Sequence, residues 1–408
     1  MRLHSFGAIR PAPKLAAQVA AVPYDVVDRA EAVELARGNP HSFLHVGRSD
    51  IDLPESTDPH DPQVYTRARA ALDQLIAEGT LLRDRERSFY LYRQIMDGRA
   101  QTGLVGCVHI DDYESDVIRK HEKTRPDKED DRTRHVLTLN AHAEPVFLAY
   151  RGRRELDELA AGWLKTPPLY DFTAADGVRH TVWKMPDPEP WVRAFSTVPH
   201  AYVADGHHRS ASAWRAGKER RARNPNHTGN EEYNWFLAVL FPADQLTILP
   251  YHRMVRDLGG MTPDALLERL RGVGRISRTD DPQPARSGAF GMYLAGEWHL
   301  IELDERSIDR KDPIGSLDVS LLQERILGPV LGVGDPRTDK RLEFVGGIRG
   351  TKELKRRVDS GEMAIAFSLL PTTMEQLLAV SDAGTVMPPK STWFEPKRRS
   401  GLFVHELD

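Results

Sequence analysis

The chain has 408 residues, of which 40% are hydrophobic and 28% charged, a balance that favours a folded globular protein over a disordered one. The formal net charge of -4 excludes a general attraction to nucleic acid, although it leaves room for a local basic patch. The single cysteine, Cys107, excludes an intramolecular disulfide and a cysteine-rich zinc site.

The first residues carry no long apolar stretch, so no secretory signal is expected. No segment stays apolar over the ~20 residues that a membrane span needs. We therefore expect a cytoplasmic protein.

The N-terminal region is predicted to be loop-rich over its first 55 residues, with one short helix. Asp28 is placed to cap that helix, with Glu31 three residues later, and Gly38 ends it. A second helix is predicted over 63–77. Two strands, 89–92 and 104–108, flank Asp97-Gly98, a pair typical of tight hairpin turns. Residues 1–112 are predicted to form an N-terminal α/β region.

Helices and strands alternate in the middle of the chain, which predicts an α+β core over residues 113–258. An almost entirely charged segment, 119–132, is predicted to be a loop that Pro126 stiffens. Strands are predicted at 144–150, 178–185, 201–204 and 236–241, and a helix at 154–164. The last of these strands is continuously apolar, as expected of a buried strand.

The C-terminal region, residues 259–408, is predicted to be a further α/β region whose tail returns to the active site. Helices are predicted at 263–271 and 318–327, a strand at 363–370, and a hairpin over 290–303 that turns at Gly296. Gly259-Gly260 and residues 278–287 are the predicted linkers.

The clearest chemical motif is Asp205-Gly206-His207-His208-Arg209, which we call the 205–209 turn. It lies between an apolar strand and a run of good helix formers that ends at Gly217. The first turn of a helix presents unpaired N–H groups and the positive end of the helix dipole, and arginine binds phosphate with parallel bonds. This pattern predicts a phosphate site. For Asp205 the sequence leaves three roles open, namely a catalytic base, a magnesium ligand or a helix cap.

The segment from Val203 to Arg209 resembles the signature of the ParB/sulfiredoxin-like fold, in the form found in free-serine kinases. In that fold the strand, turn and helix follow an upstream loop with a His-Glu pair, and His121-Glu122 matches it here. The resemblance implies that Glu122 activates the serine hydroxyl.

The chain as a whole resembles a family of bacterial and archaeal proteins of unknown function, some members of which are described as pyrophosphate-dependent serine kinases. Five segments carry this resemblance: 22–27, 120–128, 144–147, the 205–209 turn and 387–394.

Further residues are predicted to complete the site. Lys120, Arg125 and Lys390 are expected to join Gly206, His207, His208 and Arg209 in binding phosphate. The predicted substrate-binding residues are His121, Thr124, Asn234, Tyr24, Asp25, His252 and Thr392. For most of these the alternative is an ordinary solvated or structural position, and for Lys390 it is a structural tail packed through Trp393.

The main hypothesis is a small-molecule kinase that phosphorylates free L-serine, using magnesium and either pyrophosphate, ATP or ADP. One alternative is a ParB-like regulatory protein that binds nucleotide or DNA. It is supported by a basic run after the turn, formed by Arg215, Lys218, Arg220, Arg221 and Arg223. The other alternative is a phosphoesterase or nuclease that uses the same anion site.

Overall fold

The computed structural model describes residues 1–408 and shows a mixed α+β protein, which confirms the predicted class. The chain forms two compact units. The first comprises residues 1–246 together with the C-terminal segment 396–408, and the second comprises residues 247–395. None of the helices combines the length and the apolar character that a membrane crossing requires.

The division into two units differs from the three predicted regions. The predicted border at residue 112 falls inside a helix, and the border at 258 falls inside the second unit. The strand 99–109 pairs with strand 235–242, so residues on both sides of 112 belong to one sheet. Pairing between strands far apart in sequence therefore sets the units.

The first unit contains nine helices before residue 247. They are α1 (Ala16–Val19), α2 (Arg29–Ala36), α3 (Leu44–Gly47), α4 (Pro62–Ala77), α5 (Ile110–Glu114), α6 (Pro126–Leu139), α7 (Arg154–Trp163), α8 (Glu189–Ser196) and α9 (His207–Arg223). Asp28 and Glu31 form the predicted capping box of α2. Helices α1 and α3 lie in the part of the chain that was predicted to be loop-rich.

Helix α6 corrects the prediction for the charged segment. Residues 126–132 begin this helix, with Pro126 in its first turn. Proline is favoured there because its fixed φ suits the helix and its missing N–H would have no helical partner. Pro126, which was predicted to stiffen a loop, therefore begins a helix.

A nine-stranded sheet forms the centre of the first unit, and its main path runs β6-β11-β8-β12-β5-β4-β10-β9, with β1 also paired to β5. Two further strand pairs, β2 with β3 and β7 with β21, lie outside this sheet. The strands are β1 (Leu3–His4), β2 (Ile9–Pro11), β3 (Leu81–Arg83), β4 (Phe89–Met96), β5 (Arg99–His109), β6 (Ile118–Arg119), β7 (Ala141–His142), β8 (Val146–Tyr150), β9 (Tyr170–Thr173), β10 (Arg179–Met185), β11 (Ala201–Asp205), β12 (Trp235–Pro242) and, in the C-terminal segment, β21 (His405–Glu406).

The core of this unit packs against the sheet. Residues such as Leu148, Val203, Phe236 and Leu240 are fully buried in one apolar cluster. Strand β11 pairs antiparallel with β8 and parallel with β6. These pairings place the end of β11 beside the residues that follow β6 and those that precede β8.

The second unit is built on a six-stranded sheet in the order β15-β17-β16-β19-β14-β18, with a separate pair of β13 and β20. Its strands are β13 (Thr247–Leu249), β14 (Tyr251–Val255), β15 (Arg275–Arg278), β16 (Ala289–Leu294), β17 (Glu297–Glu302), β18 (Leu342–Gly346), β19 (Ile365–Ser368) and β20 (Trp393–Glu395). Its helices are α10 (Pro263–Leu270), α11 (Asp318–Leu322), α12 (Gly350–Asp359) and α13 (Met374–Asp382). The predicted hairpin at Gly296 is confirmed as β16 and β17.

Candidate active site

The 205–209 turn joins β11 to α9, in the order strand, glycine and helix that the sequence predicts. Gly206 has φ +95°, a conformation that side chains rarely adopt, and an added Cβ would lie 3.1 Å from Nε of Arg209. No side chain caps α9. Its first N–H groups are therefore suited to an incoming anion.

Asp205 does not cap the helix, so one of the three roles left open by the sequence is wrong. Its Oδ2 accepts a 2.9 Å hydrogen bond from Nη1 of Arg398, and the Nζ of Lys397 and Nη2 of Arg209 each lie 3.7 Å away. Burial alone would raise the pKa of Asp205, but Lys397 and Arg209 outweigh it and lower the pKa to about 2. The carboxylate is thus ionised at neutral pH, and its low pKa makes it a weak base, which suits metal binding better than proton abstraction.

Arg209 is buried beneath the turn, between three carboxyl groups. Its Nη2 donates to Oδ2 of Asp25 at 3.2 Å and lies 3.7 Å from Asp205, and its Nη1 lies 4.0 Å from Oε2 of Glu144. Nη1 also donates to the carbonyl of Pro145 at 3.1 Å, which accepts a second bond from Arg398. The guanidinium therefore organises the carboxylates around the turn.

Glu144 is a buried residue of this site that sequence reasoning did not select, although it lies in one of the family segments. The Ser400 hydroxyl donates to its Oε1 at 3.1 Å, while Oε2 has no hydrogen-bond partner. Burial raises the pKa of Glu144 to about 7, although Arg209 acts in the opposite direction. The sequence did offer one indication of Glu144, because a charged residue just before an apolar strand can mark a candidate site residue.

Tyr24 and Asp25, which were predicted to bind substrate, lie beside Arg209. The guanidinium of Arg132 stacks 4.3 Å from the centre of the Tyr24 ring, and that of Arg209 lies 6.0 Å from it. Together with Glu144, the side chains of Tyr24, Arg132 and Arg209 line one cavity of the first unit. Arg132 is a further residue that sequence reasoning did not select.

His121 and His207 form a buried pair in which the ring centres are 4.4 Å apart and the rings perpendicular. Burial lowers the pKa of His121 to about 4 and holds the pKa of His207 well below its usual value. Both rings are therefore neutral at pH 7 and add no positive charge to the 205–209 turn.

Glu122 lies next to this pair, with its side chain exposed to solvent. A carboxylate oxygen of Glu122 and one ring nitrogen of each histidine all lie within 4.8 Å of one another. The fold thus brings the upstream His-Glu pair to the 205–209 turn.

The loop after Glu122 is held to the turn through His208, whose Nε2 accepts the backbone N–H of Arg125 at 3.1 Å. The exposed guanidinium of Arg125 donates to Asp127 at 3.1 and 2.8 Å. Thr124 donates to Glu129 through its hydroxyl. In this segment, it is the backbone of Arg125 that contacts the turn directly.

Lys120, at the start of the same loop, is bound by residues that precede it. Its Nζ donates to the carbonyl of Tyr113 at 3.0 Å and pairs with Asp116 at 2.8 Å. Its positive charge is thus already compensated.

Asn234 is a predicted site residue of the first unit that lies away from this cluster. It accepts hydrogen bonds from Arg221 at 3.2 and 2.8 Å, near the end of α9. This helix begins at the turn, has 17 residues and is about 25 Å long, so its end lies far from the turn. His252, Lys390 and Thr392 belong to the second unit. There, His252 accepts the Leu369 N–H at 3.2 Å.

The C-terminal segment 396–408 belongs to the first unit, and its residues Lys397 and Arg398 reach Asp205. Sequence reasoning chose Lys390 instead. The consecutive basic residues 397–399 were the signal that could have found them.

The basic run along α9 is paired with acidic groups. Arg215 pairs with Glu129 and Asp130, and the remaining pairs are Lys218 with Glu114, Arg220 with Asp408, Arg221 with Asp111, and Arg223 with Glu219. This compensation removes the main support for a nucleic-acid surface on α9.

Comparisons with known proteins give a family and distant structural likenesses. No curated protein matches the chain. A conserved hypothetical protein from Pyrococcus furiosus is 15% identical, with a TM-score of 0.36 over 73% of this chain and 94% of that one. A free serine kinase in complex with AMP is 12% identical, with a TM-score of 0.36 over 73% of this chain and 90% of that one.

A third solved structure, SbnI with a C-terminal truncation from Staphylococcus aureus, is 12% identical, with a TM-score of 0.38 over 74% of this chain and 87% of that one. The family model described as "Protein of unknown function (DUF1015)" matches residues 3–320, which is most of the sequence. The chain therefore belongs to the DUF1015 family.

Proposed function

We propose that this protein is a kinase that transfers a phosphoryl group from pyrophosphate, ATP or ADP to the hydroxyl of free L-serine. The observation that carries the proposal is the position of Glu122, whose exposed carboxylate lies within 4.8 Å of His207 at the start of α9. A proton acceptor thus stands beside a phosphate-binding turn. The motif resemblance to free-serine kinases supports the same reaction.

The proposed reaction is a direct transfer. The serine hydroxyl oxygen forms the new P–O bond, its proton passes to the Glu122 carboxylate, and the bond to the leaving phosphate or nucleotide breaks. The N–H groups at the start of α9 would hold the phosphate chain. His208, within this turn, and Arg398, which donates to Asp205, would complete the binding surface.

Magnesium fits the carboxylates of this site. Mg²⁺ prefers oxygen ligands, typically one or two carboxylates with the substrate phosphates. Asp25 and Asp205 both approach the same nitrogen of Arg209, at 3.2 and 3.7 Å, and these two carboxylates would hold the ion. When bound, magnesium would neutralise charge on the phosphate chain.

We further propose that β6, β11, β8 and α9 form a ParB/sulfiredoxin-like core. The parallel pairing of β6 with β11 supports this, because it places the residues after each strand at the same edge of the sheet. These residues are the His121-Glu122 pair and the 205–209 turn.

The test is an assay of the full chain with magnesium, L-serine and each of pyrophosphate, ATP and ADP in turn, with phosphoserine detected by mass spectrometry. We expect one donor to give phosphoserine at a rate proportional to enzyme concentration. If none does, the kinase proposal is wrong. Release of inorganic phosphate without phosphoserine would favour the phosphoesterase alternative.

A further inference from the structure

His121, Glu122 and His207 offer three metal-ligand atoms at one point of the first unit. One atom from each side chain lies within 4.8 Å of the other two. The first two residues follow β6 and the third begins α9, so the sheet itself brings the two segments together. The two histidines are buried and Glu122 is exposed, so the cluster meets solvent at Glu122.

The imidazole of His121 provides a second, independent observation. Its side chain is buried at 2% exposure, the backbone of Val203 approaches the ring, and neither ring nitrogen makes a hydrogen bond of good geometry. A buried polar group without a partner costs about 1–3 kcal/mol, so such groups in native proteins call for a ligand or another explanation. A bound cation would satisfy one of these nitrogens.

The arrangement of the rings also suits a shared ion. The perpendicular rings of His121 and His207, with centres 4.4 Å apart, allow a nitrogen of each to face a common point. The backbone N–H of His121 reaches Nε2 of His207 only at 3.5 Å, a length at which a hydrogen bond is weak. This contact therefore competes little with a metal ion.

We infer that His121, Glu122 and His207 bind a divalent transition-metal ion of the zinc class. Imidazole nitrogens select Zn²⁺, Co²⁺ or Ni²⁺, whereas Mg²⁺ prefers oxygen ligands. Three protein ligands leave a fourth position open, as in zinc sites that bind water or substrate. Ligands of a tetrahedral zinc ion lie roughly 3.3 Å apart at ~2.0–2.2 Å bond lengths. The three ligand atoms, which lie within 4.8 Å of one another, therefore approach by up to about 1.5 Å on binding.

The inference does not depend on the proposed kinase reaction, but it has a consequence for it. An ion bound to Glu122 occupies the carboxylate that would accept the serine proton. Zinc is therefore expected to inhibit phosphoserine formation, and excess magnesium is not expected to relieve the inhibition.

The experiment is a cobalt titration of the tag-free full chain, followed by visible absorption, because four- or five-coordinate Co²⁺ absorbs visible light far more strongly than the six-coordinate aqua ion. We expect saturation at one equivalent, displacement by an equal amount of Zn²⁺, and no displacement by the same amount of Mg²⁺. A wild-type protein that gives no cobalt spectrum, or that loses it to equimolar Mg²⁺, would overturn the inference.

Variants locate the ion. Glu122→Gln changes an exposed side chain and is expected to weaken binding at least about 10-fold, and His207→Ala at least about 100-fold, since outer-shell partners alone are worth 10–100-fold. Glu155→Gln, at an exposed glutamate on α7, is the matched control and keeps wild-type affinity. If His207→Ala fails to fold, Glu122→Gln decides alone. Unchanged binding in Glu122→Gln, or equal loss in Glu155→Gln, would place the ion elsewhere.

Discussion

Nη1 of Arg398 donates a 2.9 Å hydrogen bond to Oδ2 of Asp205 across 193 residues of sequence. Arg398 is almost fully buried, and its Nε donates to the carbonyl of Pro145 at 2.8 Å. The C-terminal segment thereby supports the turn on which the proposed function rests, and the first predictions concern this pair.

The Arg398→Gln variant is expected to lower the free energy of unfolding by about 3 kcal/mol. Loss of one partner from a buried ion pair costs about 3–5 kcal/mol, and Asp205 is partly exposed, so the lower end applies. Urea denaturation measures the effect. In a cycle with Asp205→Asn, the double variant should be more stable than the sum of the single effects by more than about 1 kcal/mol. Additive effects would show that the pair is not coupled.

Because of the Asp205 carboxylate, we expect the protein to lose stability in acid. Its pKa falls from the ordinary 3.8 to about 2 on folding, so its contribution is complete above pH 3.8 and is lost as the pH falls through about 2. The shift corresponds to roughly 2 kcal/mol. The difference in unfolding free energy between the wild type and Asp205→Asn should shrink by that amount between pH 5 and pH 2. A constant difference would contradict the low pKa.

The carboxyl group of Glu144 should make the free energy of unfolding depend on pH in the opposite direction. Its pKa rises from 4.5 to about 7 on folding, so its contribution is complete below pH 4.5 and is lost as the pH rises through about 7. The shift corresponds to roughly 3 kcal/mol. Relative to wild type, Glu144→Gln should gain about that much stability between pH 4.5 and pH 8, measured by denaturation at each pH. No relative gain over that range would mean that Glu144 is ionised with an ordinary pKa.

Glu122→Gln tests the proposed base. Loss of a general base lowers kcat by about 10²–10⁴-fold, and an exposed side chain can be changed without loss of folding. Phosphoserine formation is the readout, and thermal denaturation shows whether the fold is kept. Glu155→Gln, an exposed glutamate on α7, is the matched control and should keep full activity. A Glu122→Gln variant with wild-type kcat would remove Glu122 from the mechanism.

Gly206→Ala tests the turn itself. A side chain at φ +95° costs about 1–2 kcal/mol, and the new methyl group would press on Arg209. Because the turn must shift, pyrophosphate binding measured by calorimetry should weaken at least about 10-fold, the equivalent of one charged hydrogen bond. Gly177→Ala is the control, since Gly177 has φ +82° with no heavy atom within 4 Å of an added Cβ. It should lose similar stability but no binding.

Local patterns predicted most helices and strands, because side-chain periodicity and turn residues act within a few positions. Asp28 and Glu31 form the capping box, and Asp97-Gly98 turns the hairpin with both residues at positive φ. Pro126 was misread because proline suits both a stiff loop and a helix start. The domain borders were misplaced because pairing between distant strands leaves no local mark.

The residues of the candidate site also fall into two groups, those that local sequence indicates and those that only the fold brings together. By itself the sequence determined that the 205–209 turn lies between a strand and a helix, because this pattern is local, and the resemblance to free-serine kinases singled out the His-Glu pair. Only the tertiary structure decided that Arg398 and Lys397 pair with Asp205, that Glu144 is buried beside Arg209, and that His121 meets His207. These contacts depend on which strands pair and on how deeply each charge is buried, and burial sets the charge that each group carries.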